Sequence, residues 1–440
     1  MFFSLEKPDC AKIDQAQMLL KLAEYKGTLV SFLKKISNME YLYWDKMRHK
    51  EPAPNKFTKE ELWLIVKMQR ELNQLQSVIK DSTGQAFNWS KLDYFADFLH
   101  EADHAIGEDS LFERLNKKKL LMRGLMDEAI ASSQLEGAAT SRLVAKKMLK
   151  ENRKPRNHSE RMIVNNYIAM SMLEKTYKDH DLTLDMILEL HEFITMDTVD
   201  SENEVPRLRH KRESVYITDN LSGQIYYEAP DVAFVEKELK FLIEFANDKL
   251  KEQTFIHPII KAIMLHFWLG YLHPFTDGNG RLARLLFYWY LMRHGYWYFA
   301  YLPISKIIKR SPKQYIMAYV YTEQDDNDLN YFIHYNIKKI KLALNDFGEY
   351  LKKQSAFKLK IKHKYVVKYD FNIRQMQLLQ YLYDNPEERT SLKVHMNIYQ
   401  VSKMTAIKDL RGLLQQGLLL THKQGRNVYY RAANKLKSLF

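Results

Sequence analysis

Residues 259–293 constrain the fold of this 440-residue chain more than any other stretch. Two runs within it, 259–272 and 282–293, are apolar on almost every face, and a helix that is hydrophobic all round has to be buried on all sides. Such a pair forms the middle of a core, and the segment joining them is held from both ends. That segment reads His273-Pro274-Phe275-Thr276-Asp277-Gly278-Asn279-Gly280-Arg281-Leu282-Ala283-Arg284, and Gly295 closes the second helix.

The residue types of the joining segment suit phosphate. Gly278-Asn279-Gly280 lets the backbone take positive φ and turn its N–H groups inward at a helix N-terminus, the physical recipe for an anion cradle. Asp277 offers a hard carboxylate for Mg²⁺ shared with phosphate oxygens. Arg281 and Arg284, three apart, project near one another from the first helical turn and supply bidentate donors. His273 titrates near neutrality and can take a proton from a hydroxyl. Singly, these are a tight turn, a solvated helix face and a loop histidine; together they are the parts that phosphoryl or nucleotidyl transfer needs.

The remainder supplies a body for this centre. With 46% hydrophobic and 28% charged residues, 14 Gly and 11 Pro, the chain is globular and mainly α-helical rather than disordered or collagenous. Apolar spacing predicts helices over 17–33 and 59–78, with 51–55 extended by its prolines and Thr58 with Glu61 forming a capping box. One β-signal stands out: Ser214-Val215-Tyr216-Ile217-Thr218 and Gln224-Ile225-Tyr226-Tyr227-Glu228 flank a turn rich in Asp, Asn and Gly, which predicts a hairpin lying against a larger body. Over 357–365 lysines alternate with apolar residues, a pattern that fits a strand or a continuation of the helix before it.

The C-terminus differs from the rest in charge. Residues 351–440 hold 18 Lys+Arg against 5 Asp+Glu, whereas 1–350 hold 49 against 49. A helix over 373–383, a stop at Asn385-Pro386, a short helix from Thr390, a longer one over 402–416 closed by Gly417, and β-like runs 418–422 and 427–431 give the layout of a winged helix-turn-helix. DNA is one partner for this module, with Lys403, Lys408 and Arg411 facing the groove and Arg426 in the wing turn; protein binding or a purely structural role is the other reading. Cys10 is the one cysteine and no Cys/His cluster has zinc spacing, which points to a reduced, cytoplasmic setting. Residues 1–9 lack the regions of a secretory signal. The longest apolar run, 285–292, falls far short of the ~20 residues of a membrane span, so no membrane role is expected.

The segment 273–284 resembles the signature loop of the Fic family, His-Pro-Phe-x-(Asp/Glu)-Gly-Asn-(Gly/Lys)-Arg-x-x-Arg, at every specified position. The resemblance implies a protein adenylyltransferase that moves AMP from ATP to Ser, Thr or Tyr hydroxyls of a target and of itself. His273 would be the general base, Asp277 the Mg²⁺ ligand, Gly278, Asn279 and Gly280 the anion hole, and Arg281 and Arg284 the phosphate clamps. Upstream, Ala131-Ser132-Ser133-Gln134-Leu135-Glu136-Gly137 resembles the family's inhibitory motif (Ser/Thr)-x-x-x-Glu-(Gly/Asn), with Ser132, Glu136 and Gly137 matching and Glu136 expected to pair with Arg284. The hairpin corresponds to the family's flap, where an unknown target docks by strand addition along Ser214, Val215, Tyr216, Ile217, Ile225, Tyr226 and Tyr227.

The resulting layout is a helical N-terminal region over 1–110 and a Fic core over 111–350, with the inhibitory helix at 125–137, the flap at 214–228 and the loop at 273–284. A basic linker over 351–364 and a winged helix-turn-helix over 365–440 complete it. A bacterial source fits the N-terminal extension, and a homodimer stays open. The alternatives are de-AMPylation or transfer of another nucleotide by the same site, and a nucleotide-sensing DNA-binding regulator.

Overall fold

The computed structural model describes residues 2–25, 27–51, 53–104, 117–199, 207–218, 223–250, 255–361, 371–425 and 427–439. It is mainly helical with, among the described residues, three small antiparallel sheets. The chain divides into two compact units. One comprises Met1–Ala105, Met172–Trp297 and Ile307–Leu342, the other Ile106–Ser171, Tyr298–Lys306 and Ala343–Phe440. This division runs across the linear order of the sequence, because 117–151 bonds to the C-terminal helices: the Asn397 amide donates to the Lys150 carbonyl at 3.1 Å, and the Lys150 ammonium to the Tyr381 hydroxyl at 3.2 Å.

At the heart of the first unit are the two buried helices, Pro258–Leu272 and Asn279–Arg293. Pro258 sits at the first helical position, where its missing N–H costs nothing, and the His257 ring accepts from the Ile259 N–H at 3.2 Å. Trp268, Trp289, Phe267 and Phe275 are fully buried between these helices and their neighbours. His266 is buried with them beside the Tyr315 hydroxyl at 2.8 Å, and burial, with Arg284 nearby, holds its pKa down at about 3, so the ring is neutral.

The N-terminal helices differ from expectation in two places. The helix expected over 17–33 is two, Gln15–Glu24 and Leu29–Lys34, separated around Gly27. The helix expected over 59–78 keeps its capping box, with Thr58 and Glu61 exchanging bonds of 2.8 and 3.1 Å, but ends at Glu71. Leu75–Lys80 then pairs antiparallel with Ala86–Trp89. The turn between them is built by Asp81, which accepts from the N–H groups of Thr83 and Gln85 at 2.9 Å, and by Gly84 at φ +90°. Asp-Ser-Thr-Gly is a turn signal that the apolar spacing on either side overrides when read as a helix.

A buried polar network ties these helices to 325–331. Arg70 donates to the Tyr331 hydroxyl at 2.7 Å and to the Ile36 and Leu42 carbonyls at 3.2 and 2.9 Å, with its guanidinium 3.9 Å from the Tyr41 ring centre. Lys67 meets Asp325 at 3.0 Å, and the Tyr41 hydroxyl donates to Asp328 at 2.6 Å.

Of the alternating stretch 357–365, residues 357–361 are helical, the end of the helix Asn330–Ile361, and 362–365 lie outside the described residues. The C-terminal elements follow the expected order: Ile373–Asp384, Leu392–Tyr399, Lys403–Gln415, then strands Leu419–Gln424 and Asn427–Ala432. One strand is added. Arg389–Ser391, expected as the start of a helix at Thr390, pairs with Asn427–Ala432, which therefore lies in the middle of a three-stranded sheet. Buried Asp409 fastens the helices, accepting from Arg374, His395 and Asn372 at 2.6–3.0 Å.

Candidate active site

The first buried helix stops at His273, whose backbone is left-handed at φ 48°, and the second starts at Asn279 after Gly278 at φ +83°. A Cβ at Gly278 would lie 3.0 Å from Thr195 Cγ2, so glycine answers both the conformation and the space. The second helix begins three residues earlier than its apolar run. This places Asn279, Gly280 and Arg281 in the first turn, where backbone N–H groups have no acceptor within the helix. The Asn279 side chain folds the loop on itself, accepting from the Phe275 N–H at 3.0 Å and donating to the Phe275 carbonyl at 2.8 Å. His273 Nδ1 lies 2.8 Å from the Gly270 carbonyl oxygen. A carbonyl only accepts, so Nδ1 carries the proton and Nε2 is the lone-pair nitrogen of the neutral ring.

Three further contacts brace the loop. Arg281 has no solvent exposure; it donates to the Ile194 carbonyl at 2.6 Å and to Asp277 Oδ2 at 2.9 Å, which leaves Asp277 about half exposed (47%). Its guanidinium is thus a strut between the carboxylate and the Leu184–Thr195 helix. His191, from the same helix, stacks on Phe275 with ring centres 3.7 Å apart and donates from Nε2 to the Asp277 carbonyl at 2.9 Å. Burial pushes its pKa down to about 4, with Arg281 adding to the effect and the bond to Asp277 opposing it. Arg209 grips the other end: its Nε donates to the His273 carbonyl at 2.9 Å, its N–H to the Pro274 carbonyl at 2.9 Å, and its guanidinium also to the Pro230 carbonyl after the hairpin.

Residues 181–291 match the Fic/DOC family. The chain carries a Fic domain. The protein adenylyltransferase fic-1 of Caenorhabditis elegans is 30% identical over 170 residues, 38% of this chain and 31% of that protein. The protein adenylyltransferase Fic of Nematostella vectensis is 27% identical over 192 residues, 41% of each. The chain thus spans less than half the length of these curated relatives. A structure of Fic-1 from C. elegans aligns at 16% identity and a TM-score of 0.49 over 78% of this chain and 95% of that one.

Within the Fic domain, the signature residues fall together on the loop and first turn described above. Arg284 follows one turn later and is buried. His191 and Arg209 were not singled out from the sequence; Arg209 sits in a basic run, 207–212, and His191 gives no local signal. The hairpin forms as expected, Tyr216–Thr218 against Ile225–Glu228, with Tyr216 opposite Glu228 and Ile217 opposite Tyr227. Ser214 and Val215 precede the strand, and turn residues 219–222 lie outside the described residues. The Ile225 strand is met on its second edge at one point by the chain itself: the Phe3 N–H donates to the Ile225 carbonyl at 2.7 Å. The Tyr216 strand, among the described residues, pairs on one side only.

Outside the Fic domain, Ser132 is buried near the end of the helix Lys117–Leu135, Glu136 is half-buried just after it, and Gly137 ends the turn at φ +96°. Lys403, Lys408 and Arg411 are exposed on one side of the helix Lys403–Gln415, opposite the buried Ala406, Leu410 and Leu413. Arg426 lies outside the described residues. Among the described residues no group of three or more His, Cys, Asp or Glu side chains forms a metal site, and no helix is long and apolar enough to cross a membrane.

The buried histidines set a pH dependence. His191 titrates near 6.5 when unfolded and near 4 when folded, so between those values the unfolded chain binds the extra proton. The stability it contributes is complete above about pH 6.5 and is lost as pH falls toward 4. His266 and His334, each held near 3 by burial, act in the same direction. Denaturant midpoints should therefore fall across this window, and His191→Gln should flatten the fall. An equally steep profile in the variant would show that His191 does not contribute.

Proposed function

We propose that this protein is a nucleotidyltransferase that moves AMP from ATP to a hydroxyl of a target protein, releasing pyrophosphate. The observation that carries this reading is the contact of His273 Nδ1 with the Gly270 carbonyl, which makes Nε2 the accepting nitrogen of the ring, on the loop that leads into the helix Asn279–Arg293. The hydroxyl gives its proton to Nε2 as its oxygen bonds to the α-phosphorus, and the bond to the bridging oxygen breaks, leaving the electron pair on pyrophosphate. The N–H groups of the first helical turn receive phosphate oxygens, and Arg284 clamps the outer phosphates. Arg281 contributes through Asp277 and its backbone N–H, since its side chain is sealed. The half-exposed Asp277 carboxylate suits Mg²⁺ held jointly with phosphates, an ion that would neutralise charge on the leaving group. The names of the matched relatives support the reading.

The target segment would add to the Tyr216–Thr218 edge of the flap, since residues 2–3 already meet the other edge at Ile225. Glu136 would act as the inhibitory residue, supported by the helix that ends where the motif expects and by the left-handed Gly137. DNA binding by the C-terminal module is supported by the cationic outer face of the helix Lys403–Gln415. The protein would work in the cytoplasm.

Incubation with α- and γ-labelled ATP tests the reaction. Label should move from the α position alone, and His273→Ala should cut transfer by roughly 10²- to 10⁴-fold while ATP still binds. Undiminished transfer would exclude His273 as the base.

For the inhibitory residue, Glu136→Gly should raise transfer about tenfold or more, a change of ~1.4 kcal/mol in barrier. The gain should vanish when His273→Ala is added. No gain at saturating ATP would show that Glu136 is an ordinary helix-end residue.

For DNA, affinity should fall steeply as salt rises, as counterion release requires, and Lys403→Ala with Arg411→Ala should weaken it. Salt-independent binding, or none, would leave the module a structural or protein-binding one.

A further inference from the structure

Within the second unit, a cleft of about 550 Å³ opens between the helices Lys117–Leu135 and Arg142–Glu151 on one side and Ile373–Asp384 and Leu392–Tyr399 on the other. That is the size of a small-molecule site. Its charge is one-sided. Seven Lys and Arg side chains line it against three carboxylates, with buried Asp127 as a fourth acid behind the wall. Arg142 and Lys146 each lie 2.9 Å from Asp127, and Arg123 lies 3.9 Å from it.

Three cations share one carboxylate, so the cluster is not a balanced ion network. The strain registers on Lys146. Burial pushes its ammonium down from 10.5 to about 8, with Arg142 and Arg123 helping, in spite of Asp127. Burial lowers Lys150 as well. The cations are held on the wall by aromatic faces: Lys150 sits 4.5 Å from the Tyr381 ring centre and Arg123 3.4 Å from that of Tyr350. Those faces are already covered by cations, so what the cleft offers a ligand is donors and positive charge rather than a stacking surface.

We infer that this cleft binds a small anion carrying two or more linked phosphate groups, with Arg142, Lys146 and Lys150 as its main donors. Seven cations against four acids leave three positive charges for a ligand to neutralise, and linked phosphates meet convergent Arg and Lys donors at hydrogen-bonding distance. This site is separate from the anion cradle of the Fic domain.

Titration calorimetry of the full chain with tripolyphosphate tests the assignment, run on the Arg284→Ala variant so that the loop's contribution is weakened. Binding should persist there, and adding Arg142→Gln or Lys150→Met should weaken it by at least about tenfold, the scale of one charge-assisted hydrogen bond. Neither substitution strips Asp127 of all its cations, and thermal melts without ligand check the fold. Lysine acylation of the unmodified protein gives a second readout that needs no variant: tripolyphosphate should protect Lys146, Lys147 and Lys150. Absence of binding in Arg284→Ala, binding unmoved by both substitutions, or no protection of these lysines would overturn the proposal. ATP should compete with tripolyphosphate and adenosine should not; adenosine binding that the same substitutions abolish would likewise overturn recognition through phosphate.

Discussion

A guanidinium sealed from water must find every partner inside the protein, and few charges are costlier to leave unpaired. Arg281 is in that position. Its bonds to the Ile194 carbonyl and to Asp277 join the Leu184–Thr195 helix, the signature loop and the first turn of the second buried helix. His191 stacks on Phe275 from the same helix, and Thr195 forms the wall that only a glycine at 278 can approach. The backbone of the signature loop is therefore braced from the side of that helix. Arg209 does the same for His273, so His273 and Asp277 are each held by an arginine of their own.

The hairpin is joined to the signature loop through Arg209, which reaches both the His273 and the Pro230 carbonyls. The Tyr227 hydroxyl bonded to the Tyr271 carbonyl, two residues before the loop, adds a second tie.

What could be read from the sequence was whatever depends on neighbours along the chain. The signature loop, the Thr58 capping box, the strands around 216 and 225 and the order of the C-terminal elements all rest on local spacing and turn chemistry. The hairpin of 75–89 escaped because its strands follow a strong helix and carry a period that blends into it. His191 and Arg209 escaped for another reason. They act on residues 64 and 86 positions away, and no pattern along the chain encodes a meeting that only the packed helices create. The bonds of Arg281 to Asp277 and the Ile194 carbonyl escaped because the residue type is equally suited to a phosphate, and only the packed structure shows its burial.

The polar network around Arg70 has a consequence for how the chain is made. Lys67 and Arg70 find Asp325 and Tyr331 across sequence separations of 258 and 261 residues. At ~5–20 residues per second, a ribosome needs on the order of ten to fifty seconds to deliver those partners. Throughout that interval the nascent segment holds two cations without these partners, beside Tyr41 and Tyr43, whose ring neighbours Tyr331 and Tyr321 are also still to be made. Lys67 and Arg70 thus gain these partners only after some 260 further residues have been made.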